Sequence, residues 1–244
     1  MSICFFDIDG TLANGLEVPL SAQEAIRELR NRGHLVFICT GRSLHYVRKH
    51  FSSYADGFIC FNGRYAVIGE EVLYDCPLKQ EEIRMITSVL DEKEAGYIFF
   101  NNVTDYMGGY LSDTYIPLNP KGAPIYNFNV FFHDTDHFHA IEDALRGLVI
   151  FNPHGDAPHA DATILGSDKG DAIREVLKKL NIRKEDAYAF GDGSNDVCMM
   201  QAVAHGIAMG NGLDILKEAA SYITDEIGHD GVRNALVHFG LIES

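Results

Sequence analysis

The sequence has few basic residues, few cysteines and no long apolar run. Its 244 residues include 20 lysines and arginines against 35 aspartates and glutamates, which gives a formal net charge of −15. A field of this sign repels nucleic acid and anionic membranes, so we expect neither as a partner. No apolar stretch approaches the roughly 18 residues that a transmembrane helix needs, which excludes a membrane-spanning protein.

The cysteines do not have the spacing of a disulfide framework or of a metal site. They are five in number, without a CxxC motif, so we expect reduced and mostly buried thiols. The N-terminal residues MSICFFDIDG lack a basic segment followed by an apolar one, so we expect no secretory signal and a cytoplasmic location. We find no indication of an obligate protein partner.

Strand and helix patterns alternate along most of the chain. Hydrophobic residues make up 46% of the sequence, enough for one substantial core or for a core with a smaller inserted domain. Ser21 and Glu24 form a candidate capping box for a first helix at 21–32. Short apolar runs predict buried strands at 3–7, 35–39, 57–61, 187–190, 206–209 and 222–224. This alternation predicts an α/β fold with a doubly wound parallel sheet.

The middle of the chain breaks the alternation. Helices are predicted at about 81–94 and 136–146, and strand-like segments at 97–101, 127–132 and 148–151. A loop rich in Asn, Pro, Gly and Asp lies between them, at about 113–124. We therefore predict a smaller α+β domain at 79–162, inserted into a core domain formed by residues 1–78 and 163–244.

Polar motifs follow the ends of the predicted core strands, where the ligand crevice of an open α/β sheet lies. The first motif is Asp7-Ile8-Asp9-Gly10-Thr11, in which two neighbouring carboxylates need a cation or a proton between them. The second is Thr40-Gly41-Arg42, where a hydroxyl and backbone amides at a helix start can form an anion pocket. Helix capping by Thr40 and Ser43 explains this second motif equally well.

Two further motifs lie near the C-terminus. Lys169 begins a predicted helix, where its charge opposes the helix dipole, so it needs another reason to be there; a solvated surface lysine is the commoner explanation. The segment Gly191-Asp192-Gly193-Ser194-Asn195-Asp196 leads from a strand into a helix, and its dense oxygen ligands suit Mg²⁺. A glycine-rich turn without a ligand is the alternative for that segment.

Asp7, Thr40, Lys169 and Asp192, in this order, resemble motifs I to IV of the haloacid dehalogenase-like superfamily. The strings GDGSND, KG and GIAMGN are similar to those of its Cof-type phosphatases, subclass IIB. The resemblance covers the core at both ends of the chain, and the family's α/β cap accounts for the middle. The sequence departs from the pattern at Arg64 and at Gly212, where many members have a small residue and alanine, respectively.

The resemblance implies a Mg²⁺-dependent phosphatase that acts on small phosphorylated metabolites, sugar or polyol phosphates first, through an aspartyl-phosphate. It implies that Asp7 is the nucleophile and Asp9 the acid and base. It further implies that Mg²⁺ is held by the side chains of Asp7 and Asp192 and the backbone carbonyl of Asp9, with Asp196 at the metal or orienting Lys169. The implied phosphate-binding residues are Ile8, Thr40, Gly41, Lys169 and Asn195.

Two other functions stay open at this point. A phosphomutase of the same superfamily shares the DxDGT string, but the phosphomannomutases carry a Gly-Gly-Ser-type second motif where this chain has Thr40-Gly41-Arg42. A catalytically silent binding protein usually lacks one of the acidic residues, and none is missing here. The histidines at 133, 137 and 139 could suggest a second metal site, but helix capping and a solvated face explain them better. Arg64 could reach substrate or lie on the surface.

Overall fold

The structure is a computed structural model that describes residues 1–102, 105–109, 124–153, 155 and 157–243. The chain divides into two compact units. The first unit comprises Met1–Asp75 and Asp168–Ser244, and the second comprises Cys76–Ser167. The predicted insertion at 79–162 falls within the second unit.

Within the described residues, strands and helices follow one another in both units. The strands are β1 (Ile3–Phe6), β2 (Leu35–Cys39), β3 (Gly57–Cys60), β4 (Tyr65–Ile68), β5 (Glu71–Asp75), β6 (Gly96–Phe100), β7 (Asp105–Gly108), β8 (Asn127–Phe131), β9 (Val149–Pro153), β10 (His159–Ile164), β11 (Ala187–Gly191), β12 (His205–Ala208) and β13 (Tyr222–Ile223). The α-helices are α1 (Leu20–Asn31), α2 (Leu44–Phe51), α3 (Gln80–Glu92), α4 (Thr135–Ala144), α5 (Lys169–Lys179), α6 (Val197–Ala202), α7 (Asp214–Ala219) and α8 (Gly231–His238).

The first unit is built on an eight-stranded sheet with the order β13-β12-β11-β1-β2-β3-β4-β5. The six strands from β13 to β3 are parallel, and those from β12 to β3 are short runs of almost wholly buried residues. The predicted α/β fold with a doubly wound sheet is confirmed. The sequence analysis missed the hairpin of β4 and β5, which adds two antiparallel strands at one edge.

Helices cover both faces of this sheet. Apolar residues of α5, α6 and α7 pack with alternate residues of the central strands, such as Ile3 and Phe5 of β1. Helices α1 and α8 contact each other; α1 also contacts β2, and α2 contacts β3. Burial on both faces explains why the parallel strands read as continuous apolar runs rather than as alternating ones.

The start of the first helix differs from the prediction. Helix α1 begins at Leu20 with Pro19 at the N-cap position, and no side chain caps it. The expected capping box of Ser21 and Glu24 is therefore wrong, because Ser21 already lies inside the first turn. The predicted helix end is correct: Gly33 follows the last turn with φ of 81°, and its amide donates to the carbonyl of Arg30.

The second unit contains a five-stranded antiparallel sheet with the order β7-β6-β8-β10-β9. Its core combines α3 and α4 with buried aromatic residues of the strands, among them Tyr97, Phe99 and Phe128. This agrees with the predicted α+β character, although β7 and β10 were not predicted. The loop predicted at about 113–124 lies, except for its last residue, outside the described residues.

His133 and His137 of the second unit have a structural explanation. The Asp134 side chain accepts a hydrogen bond from the His137 amide at 2.8 Å and so caps α4. The ring of His137 in turn accepts from the His133 amide at 3.1 Å. Capping thus accounts for this cluster, as expected. Among the described residues, no helix is long and apolar enough to cross a membrane.

Candidate active site

The order of the strands brings the sequence motifs to one edge of the first sheet. Strands β11, β1, β2 and β3 are neighbours and parallel, so the segments that follow them start at the same edge. Asp7 follows β1, Thr40 follows β2 and Asp192 follows β11. A short 3-10 helix, Phe61–Gly63, follows β3. The motifs are thus neighbours because of topology, although they are far apart in sequence.

Lys169 connects two carboxylates in the interior. Its ammonium donates to Oδ1 of Asp7 at 2.6 Å and to Oδ1 of Asp196 at 2.7 Å. The Lys169 side chain is 1% exposed, as is that of Asp196, and the Asp7 side chain is 12% exposed. The lysine is therefore not a solvated surface residue. These two carboxylates explain a cation at the first position of α5, where the helix dipole alone disfavours it.

Helix α5 holds Lys169 in place through its own cap and a close backbone contact. The Asp168 side chain accepts from the amide of Asp171 at 2.8 Å, and Asp171 accepts from the amide of Asp168 at 3.3 Å. Gly63, the last residue of the 3-10 helix after β3, approaches the same point with φ of 97°; a Cβ atom there would lie 2.0 Å from the carbonyl oxygen of Asp168. Only glycine allows this contact.

Asp192 and Asp196 are oriented by different donors. Thr11 donates its hydroxyl to Oδ1 of Asp192 at 2.9 Å. Oδ2 of Asp196 accepts from the amides of Asp192 and Gly193 at 3.1 and 3.0 Å, and its Oδ1 accepts from Lys169. Both oxygens of Asp196 are thus engaged within the protein. This favours a role in orienting Lys169 and the Asp192 turn over direct coordination of an ion.

The buried charges do not balance. Carboxylate oxygens of Asp7, Asp192 and Asp196 all lie within 4.8 Å of one another, and Lys169 bonds to two of these residues, Asp7 and Asp196. Burial raises the pKa of Asp7 to about 7, although the Lys169 ammonium opposes this shift. Burial also raises the pKa of Asp192 to about 6, against the hydrogen bond from Thr11. Close, buried carboxylates favour bound protons or a bound cation.

The charge of Lys169 itself is secure. Burial alone would lower the pKa of Lys169, but the carboxylates of Asp196 and Asp7 outweigh burial and raise the pKa above its ordinary value. The cluster therefore combines one ammonium with more carboxylate charge than the ammonium neutralises. The atoms of the cluster that could bind a metal ion are carboxylate oxygens, the ligands that Mg²⁺ and Ca²⁺ prefer. The residues thus fit a hard divalent cation.

Asp9 lies outside this buried cluster. Its side chain is half exposed, and both carboxylate oxygens accept from Nη2 of Arg42, at 3.2 and 3.4 Å. Gly10, with φ of 85°, turns the chain after Asp9; a Cβ atom there would lie 2.3 Å from Oδ2 of Asp192. The two carboxylates of the first motif therefore differ in environment. Asp7 is buried beside an ammonium, and Asp9 is accessible beside a guanidinium.

The residues expected to bind phosphate are placed unequally. Thr40 is buried, and its hydroxyl accepts from the Arg42 amide at 3.2 Å. At Gly41, a Cβ atom would lie 3.1 Å from Oδ1 of Asn62, so a side chain would crowd this turn. Ile8 has a buried side chain, so any role in binding belongs to its backbone amide. Asn195 is exposed, and its carbonyl accepts from Sγ of Cys198 at 3.3 Å.

Several residues of the site were not predicted. Thr11 was recognised only as part of the first motif and Arg42 only as part of the second, and no role was predicted for either side chain. Asn211 donates its amide to the carbonyl of Gly10 at 2.8 Å and accepts from the Ile227 amide at 3.0 Å, so it connects the first motif to the C-terminal segment. Arg64 is buried rather than on the surface. Residue types alone do not signal these contacts, because they join distant parts of the chain.

Comparison with known proteins assigns a family to this site. The sequence matches the family of haloacid dehalogenase-like hydrolases over residues 4–236. The chain belongs to this family. YkrA of Bacillus subtilis, a protein provisionally named as a phosphatase, is 30% identical over 99% of this chain and 98% of its own length.

Other relatives of this haloacid dehalogenase-like hydrolase also carry phosphatase names. YcsE of Bacillus subtilis, named as a 5-amino-6-(5-phospho-D-ribitylamino)uracil phosphatase, is 28% identical over 96% of this chain and 94% of its own length. The solved structure of BT4131, described as a subclass IIB sugar phosphatase, is 28% identical with a TM-score of 0.80, and covers 99% of this chain and 100% of its own. The chain is a phosphatase of this family, as the resemblance implied.

Proposed function

We propose that this phosphatase is Mg²⁺-dependent and hydrolyses small phosphomonoesters through an aspartyl-phosphate on Asp7. The observation that carries the proposal is the buried network in which Lys169 joins Asp7 to Asp196, with Asp192 beside it. A nearly buried carboxylate at the accessible edge of a sheet, with a fixed cation on one of its oxygens, is suited to attack an electrophile with the other oxygen. The second acid, Asp9, lies two residues away on an exposed turn.

The first half-reaction transfers the phosphoryl group to the enzyme. Asp7 attacks phosphorus through a carboxylate oxygen, and the bond from phosphorus to the ester oxygen breaks. Asp9 donates a proton to the departing oxygen, so that the alcohol leaves neutral. Lys169 and the backbone amides around Ile8 and Gly41 stabilise the negative charge on the transferring oxygens, with Thr40 and Asn195 as further donors.

The second half-reaction returns the enzyme to its starting state. Water attacks phosphorus while Asp9, now a carboxylate, accepts the proton of that water. The bond from phosphorus to Asp7 breaks, which restores the Asp7 carboxylate and releases inorganic phosphate. Asp9 regains in this step the proton that it lost in the first. The two steps thus balance without any further acid or base.

The side chains of Asp7 and Asp192, with the backbone carbonyl of Asp9, would hold the Mg²⁺ ion. When bound, such an ion neutralises charge between the carboxylates and the phosphate dianion, which otherwise repel each other. Thr11 keeps Asp192 oriented at 2.9 Å. Because both oxygens of Asp196 accept hydrogen bonds from protein donors, we assign it to the orientation of Lys169.

The relatives support a small, polyhydroxylated substrate. The name of YcsE specifies a phosphorylated ribityl compound, and the description of BT4131 specifies a sugar phosphatase. We therefore propose sugar and polyol phosphates as the substrate class. We further propose that the second unit, Cys76–Ser167, acts as the cap that selects among them, since the residues assigned to chemistry all belong to the first unit. The free thiols, three of them buried, support a reducing, cytoplasmic location.

Phosphate release tests the proposal directly. The wild type should release phosphate from p-nitrophenyl phosphate and from a panel of sugar phosphates only with Mg²⁺, and acid quenching should trap phosphate on the protein. Asp7→Asn should lose at least about a hundredfold in turnover, because the amide is not a nucleophile. Asp9→Asn should lose turnover while binding Mg²⁺ as before, since only its backbone carbonyl is assigned to the ion.

Three results would contradict parts of this proposal. Full activity in a chelator would exclude the metal, and trapped phosphate on Asp7→Asn would exclude the nucleophile. Transfer of phosphate to a second sugar hydroxyl, rather than to water, would identify a phosphomutase instead.

A further inference from the structure

Arg42 makes a contact whose purpose the proposed function leaves unexplained. Its Nη2 atom donates to both oxygens of Asp9, at 3.2 and 3.4 Å. Its guanidinium carbon lies 5.0 Å from the centroid of the Tyr46 ring, one helical turn further along the chain. Its backbone amide donates to the Thr40 hydroxyl at 3.2 Å. Arg42 is thus held at its backbone and along its guanidinium face while it contacts the proposed acid and base.

Stability does not explain this ion pair. The side chains of Arg42 and Asp9 are 47% and 50% exposed. Exposed pairs of this kind add little to folding free energy, because water screens the charges and both long side chains lose freedom. The geometry is nevertheless specific, since one nitrogen bridges two oxygens of the carboxylate while an aromatic face supports the cation. A function in the active site therefore explains the ion pair of Arg42 and Asp9 better than a contribution to stability does.

We infer that Arg42 is a positioning residue that holds the Asp9 carboxylate for the second half-reaction, and that Tyr46 supports Arg42. The inference rests on the proposed function, because it assigns a step to Asp9. In the first half-reaction the substrate is anchored through its phosphate, so its ester oxygen can itself orient Asp9 by a hydrogen bond. In the second half-reaction the partner is a mobile water molecule. The orientation of Asp9 must then come from the protein, and Arg42 contacts both of its carboxylate oxygens.

The position of the pair also explains why Arg42 can act on Asp9 without disturbing the rest of the site. Asp7, Lys169 and Asp196 form their own buried network, and Thr11 holds Asp192. The Arg42 guanidinium, by contrast, contacts Asp9 and the ring of Tyr46. Loss of Arg42 should therefore spare the binding of Mg²⁺ and the attack by Asp7, and should affect the step that depends on an oriented Asp9.

Pre-steady-state kinetics with p-nitrophenyl phosphate separates the two half-reactions. This ester has a good leaving group that needs little help from an acid, so the first step reports attack by Asp7 alone. For Arg42→Met we expect a rapid burst of p-nitrophenol close to one equivalent per enzyme, followed by a steady rate lowered about tenfold or more. Acid quenching should trap more phosphate on the protein than in the wild type. The value of kcat/KM reports the first step, so it should change less than about threefold, well below the tenfold loss expected in the steady rate.

Matched variants separate positioning from general effects. Arg48→Met removes an arginine from α2, the helix that follows Arg42; Nη2 of Arg48 contacts the Gly69 carbonyl and Glu70, and this variant should leave both steps unchanged. Arg42→Lys keeps the charge, and should recover part of the lost rate. Tyr46→Phe keeps the aromatic face and should resemble the wild type, whereas Tyr46→Leu should show a smaller version of the Arg42→Met defect. Thermal unfolding of each variant checks that the fold is intact.

The outcomes are distinct. Equal losses in kcat and kcat/KM for Arg42→Met, an unchanged kcat, or the same defect in Arg48→Met would each overturn the role of Arg42 and leave the phosphatase proposal standing. A wild type that releases no phosphate from any ester would overturn the phosphatase proposal, and this inference with it. If Arg42→Met does not fold, Arg42→Lys and Tyr46→Leu still test the role of Arg42. Each should keep the burst of p-nitrophenol and show a lower steady rate than the wild type.

Discussion

Thr11 is a residue that should affect the metal without touching it. Its side chain is fully buried, and its hydroxyl donates to Oδ1 of Asp192 at 2.9 Å. Thr11→Val keeps the shape but removes this donor, so Asp192 should lose its orientation. Loss of such an outer partner typically weakens metal binding about 10- to 100-fold. We expect the Mg²⁺ concentration for half-maximal activity to rise roughly tenfold, while kcat at saturating Mg²⁺ changes little.

A matched threonine provides the control for this measurement. Thr224 is also buried, and its hydroxyl donates to the carbonyl of Gly231 at 2.7 Å. Thr224→Val should cost a similar amount of stability, because each variant removes one buried hydroxyl together with the hydrogen bond that it donates. Its Mg²⁺ requirement should equal that of the wild type. An equal rise in both variants would show that the effect comes from general loosening of the fold.

Single residues also show what the sequence could reveal about the site. Asp7 and Asp192 were recognisable, because each directly follows a run of buried residues that ends at a predictable sheet edge. The contacts of Arg42 and Asn211 were not, since they reach partners 33 and 201 positions away in the sequence. Side-chain direction over such separations depends on turns and on rotamers. A one-dimensional pattern does not contain either.

At the scale of elements, the contact between the 3-10 helix Phe61–Gly63 and the start of α5 determines where Lys169 lies. Gly63→Ala would place a Cβ atom 2.0 Å from the Asp168 carbonyl, in a backbone conformation with φ of 97°. The left-handed conformation alone costs about 1 kcal/mol, and overpacking adds about 1–3 kcal/mol. We expect a lower thermal midpoint and a lower kcat, because the start of α5 must move and Lys169 moves with it.

Gly33→Ala separates the two contributions. Gly33 belongs to the same unit and has φ of 81°, but a Cβ atom there would meet nothing within 4 Å. This variant should lose only the conformational part of the stability and keep its kcat. Calorimetric thermal midpoints and kcat at saturating Mg²⁺ measure both effects. If Gly63→Ala and Gly33→Ala show the same thermal midpoint and the same kcat, the close approach of Gly63 to Asp168 does not contribute to activity.

The elements themselves were predictable to different degrees. The parallel strands and amphipathic helices were recognised, because burial on one or both faces leaves a clear pattern. The β4–β5 hairpin was missed, although Gly69 at its turn has φ of 55°, because a short edge hairpin is stabilised by its neighbour rather than by its own sequence. The capping box at Ser21 failed because Pro19 already fixes the start of α1. Local signals compete, and tertiary context selects among them.

At the scale of the whole molecule, the net charge of −15 and the buried carboxylates make stability depend on Mg²⁺ and pH together. Burial raises the pKa of Asp7 to about 7 and that of Asp192 to about 6, whereas an unfolded aspartate has a pKa of about 4. Because the folded values are raised, these groups contribute stability that is fully present below about pH 4. That contribution is lost as the pH rises through about 6 to 7.

A bound cation should reverse this loss, because it replaces the protons that the folded site would otherwise retain. In a chelator, the thermal midpoint should therefore decrease as the pH is raised from about 5 to about 8. Mg²⁺ should raise the midpoint far more at the higher pH than at the lower one. The double variant Asp7→Asn with Asp192→Asn removes both titrating groups of the site, so Mg²⁺ should no longer raise its midpoint at either pH. The difference between midpoints with and without Mg²⁺ cancels the titration of the other acidic residues. A Mg²⁺ effect that is equal at both pH values, or larger at the lower one, would show that the ion does not bind at these carboxylates.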